Sequence, residues 1–389
     1  MRELQYVRAR SLLWRDVPEP SLLLETDALV RPFVAARCDG DALFLQRDAG
    51  RMLSLGAKLH ICDEAFDSPS SNPLLGPFAY GHECVAEVTH CGAGVQRFAV
   101  GDVVSVPWAI SCGNCPECAA GLTSKCRALR AERAVSAYGF GAGFGRHGGM
   151  VSDVLRVPFA DAMLVRVPSN VDPLAAASAS DNLPDAYRTV APHLLRTPGA
   201  PVLIVGGSAK SIGLYAVGIA KALGASHIDY LDSSRTRLAL AEQLGANPIP
   251  ITRKEPWYRR GEALLSGGYP ISVDASSTTE GLSYAIGALA PGGTCTAIGF
   301  YLRRTTPLPL WKMFLKCATL HVGISHPRAD LSAVLQLLEN GLFDARKVNT
   351  LVADWDDAPR ALLERTTKVV LSRAPLSARS ISSGHSRVA

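Results

Sequence analysis

The sequence predicts an α/β protein of two domains, one built on a doubly wound parallel sheet and the other rich in β-strands. Three observations carry this. The stretch Pro201 to Ala246 reads as strand, glycine turn, helix and strand. Beyond it, apolar strand-like runs alternate with helical patterns as far as Gly323. Before it, residues 1–167 read mostly as short strands punctuated by Pro and Gly.

A chain of 389 residues is long enough for two domains that each bury a core. With 48% hydrophobic and 19% charged residues it reads as a soluble globular protein. The net charge of +5 arises from 40 basic and 35 acidic residues without a long basic block, which argues against nucleic acid as a partner. The opening MRELQYVRARSLLWRDVPEP has no apolar segment of signal-peptide length, and no apolar run reaches the roughly eighteen residues a membrane helix needs. The expectation is a cytoplasmic protein away from membranes, with reduced cysteines.

Taken in order, residues 1–37 alternate apolar and polar positions around Pro18, Pro20 and Pro32. Cys38 closes a strand and reads by itself as a small buried hydrophobe, and Asp39 is expected to cap a short helix through Leu45. Residues 68–77 are a loop by composition, and His82, after Gly81, precedes two strands and by itself reads as structural. Cys112, Cys115, Cys118 and Cys126 follow as C-x2-C-x2-C-x7-C, a spacing that suits a closed tetrahedral zinc site. Disulfides are the alternative, but three cysteines so close together make poor disulfide geometry. Gly139 to Gly149 is glycine-rich without the flanking strand and helix of a phosphate loop, so a mobile loop is expected. Strands near 150–157 and 163–167 complete this domain, and a helical segment then carries Asp181 and Asp185, which share a face if the backbone is helical there.

The next unit pairs a buried run, Pro201 to Val205, with Gly206 and Gly207, a helix over 212–223 and a second run ending at Asp232. Glycines at a helix N-terminus let backbone N–H groups approach a pyrophosphate, and Asp232 can accept from a ribose hydroxyl. The spacing is two residues longer than G-x-G-x-x-G, and a plain tight turn is the alternative. Helices are expected over 236–244, 257–265, 279–289 and 310–316, with strands at 271–275, 294–300 and 319–323. A helix at 331–338, then strand, helix and strand at 347–352, 358–364 and 368–371, return to the first domain. The expected domains are 1–176, 177–324, a return over 325–374 and a disordered Ser/Arg tail over 375–389.

Together, ARCDGD with Cys38, GHE at 81–83, the four-cysteine lobe, GG-x-x-x-SIG at 206–213 and KVV at 368–370 resemble the zinc-dependent medium-chain alcohol dehydrogenases over about residues 20–372. SDNLPDAY at 180–187 is similar to the branch that holds formaldehyde and threonine dehydrogenases. The resemblance implies a Rossmann domain joined to a GroES-like catalytic domain, with one catalytic and one structural zinc; Asp232 favours NAD over NADP, while Arg235 and Arg237 close behind are the residue type that accommodates a 2′-phosphate. The resemblance also implies hydride transfer between a small alcohol and its aldehyde or ketone, in a dimer or tetramer. Cys38, His82 and Asp181 would hold the catalytic zinc with a fourth position open, Glu83 would be a reserve ligand, and Asp41 would orient His82. Gly206, Gly207, Ser208, Ser211, Ile212 and Gly213 would form the pyrophosphate turn, with Asp232 and Arg237 at the ribose. Ile298, Gly299 and Phe300 would hold the carboxamide, and Lys368 would lie near the phosphates.

The sequence departs from this pattern where many relatives carry a proton relay, because Gly40 and Leu43 stand at those positions. Asp185 is the candidate for handling the proton or orienting substrate, through a pKa raised by burial; an ordinary polar residue is the alternative. Two other functions compete: a reductase of conjugated or secondary-metabolite substrates with an altered metal, and a non-catalytic NAD-binding protein that keeps its structural zinc.

Overall fold

Strands form where β-branched and apolar residues cluster. They assemble into three sheets among the residues described, 1–68, 70–129, 135–251 and 265–377 of a computed structural model. The chain divides into two compact units.

The first unit takes Met1–Asp181, His326–Glu339 and the residues from Asn349 onward. Its strands are β1 (Arg2–Arg8), β2 (Ser11–Asp16), β3 (Ala28–Ala36), β4 (Phe78–Ala79), β5 (Cys84–Cys91), β6 (Val103–Ser105), β7 (Leu155–Val157) and β8 (Val165–Arg166), with β15 (Leu351–Asp354) and β16 (Val369–Ser372) from the far end of the chain. One sheet runs β2-β1-β4; the larger runs β15-β16-β3-β5-β6-β8, with β7 also pairing β3. Central β3 is buried along nearly its whole length. It tolerates Pro32, which cannot donate to a ladder, because its register with β5 shifts between Pro32 and Val34. Val30, Val88, Val104, Met150 and Leu155 pack the core between these strands.

Three strand ends meet in this unit. Val370 of β16 pairs with Ala36 of β3. The Ala36 N–H donates to the Glu83 carbonyl at 3.2 Å, and the Arg37 N–H donates to the Val369 carbonyl at 3.0 Å. Cys38, His82 with Glu83, and Lys368 are thereby delivered to one edge of the sheet.

Two expectations for this unit are corrected. The cap of the turn after β3 is Cys38, whose Sγ accepts from the Gly40 N–H at 3.4 Å; Asp39 lies inside the turn. The glycine-rich segment is packed rather than loose. A Cβ at Gly149 would come within 2.3 Å of the Tyr80 carbonyl oxygen, and one at Gly143 within 2.1 Å of that of Ser71. Glycine there serves close backbone approach, a demand that composition alone cannot separate from mobility. Near the chain end, a 3-10 turn at Ala345–Val348, which belongs to the second unit, takes the front of the run expected as a strand, and the strand itself is Leu351–Asp354 of the first.

The second unit takes Asn182–Ser325 and Asn340–Val348. Its strands β9 (Val202–Val205), β10 (Ile228–Asp232), β11 (Asn247–Pro250), β12 (Tyr269–Asp274), β13 (Leu289–Ala297) and β14 (Thr319–Val322) form one parallel sheet in the order β11-β10-β9-β12-β13-β14. This is the doubly wound order, and it reverses between β9 and β12, where such sheets bind ligands beyond the strand ends. A helix, Asn182–Arg196, opens the unit, so Asp181 precedes the helix rather than sharing a face with Asp185. The helix expected over 257–265 and most of the expected tail lie outside the described residues.

Candidate metal and dinucleotide sites

Cys38, His82 and Asp181 converge in the first unit. All three are buried, and each offers a ligand atom within 4.8 Å of the others. The strand ends place Cys38 and His82. Asp181 is placed by its neighbour Ser180, whose hydroxyl accepts from the Cys84 N–H at 3.0 Å and donates to the Cys84 carbonyl at 3.1 Å. His82 Nε2 lies 3.5 Å from Asp181 Oδ2, and its Nδ1 lies 3.7 Å from Asp41 Oδ1, beyond hydrogen-bond reach. Asp41 is itself held by the Tyr80 hydroxyl at 2.6 Å and the Cys38 N–H at 3.2 Å. On its face, the His82 ring stacks on Phe140 at 4.7 Å and 22°. Phe140 is carried by the glycine-rich segment, whose tight packing thus fixes a wall of the site.

The electrostatics of this cluster call for a cation. Burial alone would depress the His82 pKa, but the carboxylates of Asp41 and Asp181 outweigh it and push the value up to about 9. Burial and the surrounding carboxylates, Asp181 foremost, hold the Cys38 thiol well above its ordinary value. Burial works against the charged form of Asp181, yet His82 outweighs it and keeps that carboxyl below the ordinary value. A sulfur, a nitrogen and an oxygen donor in this proximity fit zinc, with one of four tetrahedral positions left over.

The second cluster is Cys112, Cys115, Cys118 and Cys126, again with ligand atoms within 4.8 Å of one another. All ten cysteines are free thiols, so the disulfide alternative for the lobe is not realised. Burial pushes Cys118 up to about 12, whereas at Cys115 the N–H groups of Cys118 and Arg127 outweigh burial and bring the thiol down to about 7. Four thiols leave no position for a substrate, so this cluster suits a closed structural zinc.

In the second unit, the turn after β9 passes under the helix Lys210–Ala222, whose N-cap Ala209 makes no side-chain cap bond. A Cβ at Gly206 would come within 2.6 Å of Asp232 Oδ2, and one at Gly207 within 2.6 Å of the Ser276 Cα. Only glycine lets the backbone sit there, at the positive end of a helix. Within the unit, Ser208 donates from its N–H to the Ser276 carbonyl at 3.3 Å, and Ser211 Oγ donates to Asn182 Oδ1 at 3.2 Å. Ile212 is buried and Gly213 packs near Ala275. Asp232 ends β10 and accepts from Tyr230 Oη at 2.9 Å, the Ser234 N–H at 2.8 Å and Arg237, whose Nε and Nη2 donate to Oδ2 and Oδ1 at 2.7 and 2.6 Å. Ile298 and Gly299 follow β13, and the Phe300 N–H donates to Ser277 Oγ at 3.2 Å.

Three expected roles read differently in the structure. Lys368 is fully buried and its ammonium donates to Glu83 Oε2 at 2.5 Å, so it is not presented to a phosphate. Glu83 is equally buried in that pair and is not among the converging ligand atoms. Asp185 accepts from Arg188 Nε at 2.5 Å, while Arg188 Nη2 donates to the Gly323 carbonyl at 2.8 Å. Its carboxylate anchors an arginine, and a proton-handling role does not follow from that geometry. Sequence reasoning missed Tyr80, Phe140 and the tether at Ser180, whose roles come only from contacts across the fold.

A doubly wound unit with a glycine turn, and a β-rich unit with one open-sided and one closed ligand cluster, define a class of metal-containing dinucleotide oxidoreductases. Residues 25–169 match the alcohol dehydrogenase GroES-like domain family and residues 211–340 match the zinc-binding dehydrogenase family. The chain is 28% identical to a probable zinc-binding alcohol dehydrogenase of Mycobacterium tuberculosis over 78% of this chain and 74% of that one. It is 34% identical to a glutathione-independent formaldehyde dehydrogenase of Pseudomonas aeruginosa over 57% of each. The solved alcohol dehydrogenase of Thermus sp. ATN1 superposes with a TM-score of 0.81 at 29% identity, covering 96% of this chain and 99% of that one. The chain belongs to the zinc-dependent medium-chain dehydrogenase superfamily.

Proposed function

We propose that this protein is a zinc-dependent oxidoreductase that moves a hydride between a small alcohol and its aldehyde or ketone, with NAD(H) as partner. The convergence of Cys38, His82 and Asp181, all buried and set apart from the four-cysteine lobe, carries the reading. A zinc held there would act as a Lewis acid on the substrate oxygen, and the nicotinamide would take the hydride. The chain's own residues do the rest. The Phe140 ring fixes the imidazole of His82 from its face, and Asp41 faces its Nδ1 from 3.7 Å. Tyr80 and the Cys38 N–H hold Asp41 in turn, and Ser180 fixes the backbone ahead of Asp181. In the second unit the glycine turn would receive the pyrophosphate, and Asp232 with Arg237 would meet the adenosine ribose. Asp232 supports NAD over NADP, since a carboxylate accepts from a free 2′-hydroxyl and repels a 2′-phosphate.

We further read the chain as a cytoplasmic homo-oligomer. Ten free cysteines suit a reducing compartment. Among the described residues no helix is long and apolar enough to cross a membrane. The helix Leu310–Lys316 exposes Leu310, Trp311, Phe314 and Leu315, and β14, which follows it in the chain, lies at the sheet edge; a second copy would cover this apolar helix face.

The test is a metal count joined to a substrate screen. Two zinc ions per chain are expected, together with alcohol-dependent growth of nicotinamide absorbance. In His82→Ala one zinc and all turnover should be lost. A wild-type chain that carries one zinc and turns over neither alcohols nor aldehydes would overturn the reading.

A further inference from the structure

Asp274 ends β12 beside the point where the sheet order reverses, with Val205 of β9 on one side and Ala297 of β13 on the other. Its carboxyl group is fully buried. Oδ1 accepts from Ser276 Oγ at 2.6 Å and from the Ser276 N–H at 3.2 Å, and Oδ2 accepts from the Tyr301 hydroxyl. Tyr301 comes from the turn after β13, so its side chain ties that turn back to the end of the neighbouring strand.

The residues after Asp274 lie between two turns. On one side the Ser276 carbonyl accepts from the Ser208 N–H of the glycine turn. On the other, the Asp274 carbonyl accepts from the Ile298 N–H at 3.0 Å, Ser277 Oγ accepts from the Phe300 N–H, and a Cβ at Gly299 would come within 2.7 Å of the Ser277 Cα. Ser277 sits there with φ at 60°, a left-handed conformation that residues with a side chain seldom adopt. Such strain persists where the surroundings over-determine the backbone, and it gathers at ligand sites.

Apolar packing gives little reason to fix this turn so firmly. Phe300 is 54% exposed, and Arg303, Arg304 and Thr305 are exposed as well. The Tyr301 ring packs on the core of the unit, and its hydroxyl adds a bond that packing does not need. Ordering an exposed turn costs conformational entropy, and a turn ordered in advance binds its ligand at lower cost.

We propose that Tyr301 is a positioning residue for the dinucleotide: its hydroxyl, through Asp274, holds the turn 298–300 in the shape that receives the nicotinamide half. This rests on the reading of the second unit as a dinucleotide site. Tyr301 acts through the backbone it restrains.

The probe is a pair of ligands, NADH and ADP-ribose, which lacks the nicotinamide, each titrated into the zinc-loaded full chain by calorimetry. Wild type should bind NADH more tightly. Tyr301→Phe keeps the packed ring and loses only the hydroxyl; it should weaken NADH by about fivefold or more and leave ADP-ribose within about twofold. Ser277→Ala releases the Phe300 N–H at the surface and should move the same ratio in the same direction by about threefold. A merely structural bond would weaken both ligands alike or neither, and either result overturns the proposal, as does a wild type that binds the two equally. Should Tyr301→Phe not fold, Ser277→Ala decides: a shifted ratio supports the proposal and an unchanged one overturns it. A wild-type chain that binds neither ligand overturns the dinucleotide reading, and the positioning role with it.

Discussion

Asp232 and Arg237 form a bidentate pair at the end of β10, with Tyr230 closing on the carboxylate from below. As long as the aspartate is present the guanidinium has a partner, and a 2′-phosphate would have to displace it. Asp232→Ala removes that competitor and leaves Arg237 to pair with phosphate. Titration of intrinsic fluorescence should show NADH binding weakened and NADPH binding strengthened, with their ratio moving by about tenfold or more. An unchanged ratio would mean the pair lies away from the ribose. A second residue reports on stability. His193 accepts from Arg196 at Nδ1, 2.8 Å away, and burial foremost, with Arg196 and His321 beside it, brings its pKa down to about 4. The folded state therefore favours the neutral ring relative to an ordinary histidine. That contribution is complete above about pH 6.5 and is lost as pH falls from there to about 4, amounting to about 3 kcal/mol. His193→Gln should flatten the fall of the unfolding midpoint over this window. At this scale the four lobe cysteines were legible because metal ligands come as types at recognisable spacings, whereas Cys38, His82 and Asp181 stood out only through the family resemblance. The pairing of Lys368 was not, since a lysine before a strand carries no mark of what it will face 285 residues away.

At the scale of elements, the four-cysteine lobe consists of a short helix, Pro116–Ala119, and a 3-10 turn, Thr123–Lys125, too small to bury a core of their own. Metal binding supplies what packing cannot. Cys115→Ser should reduce zinc from two ions per chain to one and lower the thermal midpoint, with the loss read by metal analysis and calorimetry; full zinc content at wild-type stability would remove the structural role. The strongly periodic helices and the buried runs of β9, β10 and β12 were legible in the sequence. Asn247–Pro250 was not, because two prolines in four residues argue against a strand, and β11 escapes that rule only by lying at a sheet edge. The glycine-rich segment misled for a related reason. Glycine serves both freedom and tight approach, and the carbonyls of Ser71 and Tyr80 that decide between them lie elsewhere in the chain.

For the whole molecule, the exposed helix Leu310–Lys316 and edge strand β14 predict self-association. Sedimentation should find an oligomer at micromolar concentration, and Trp311→Glu combined with Phe314→Glu should shift it toward monomer; a monomeric wild type would leave this surface without a partner. The division of the chain has a further result. The second unit comes from one nearly continuous stretch, whereas the first is built from both ends, its strand β3 lying between β5 and β16. On the ribosome, residues 182–325 can begin to pack while the first unit still lacks its last strands. Cys38, His82 and Asp181 emerge long before Lys368 does. Glu83 likewise precedes its partner by most of the chain, so this buried ion pair can close only when the C-terminal strand arrives.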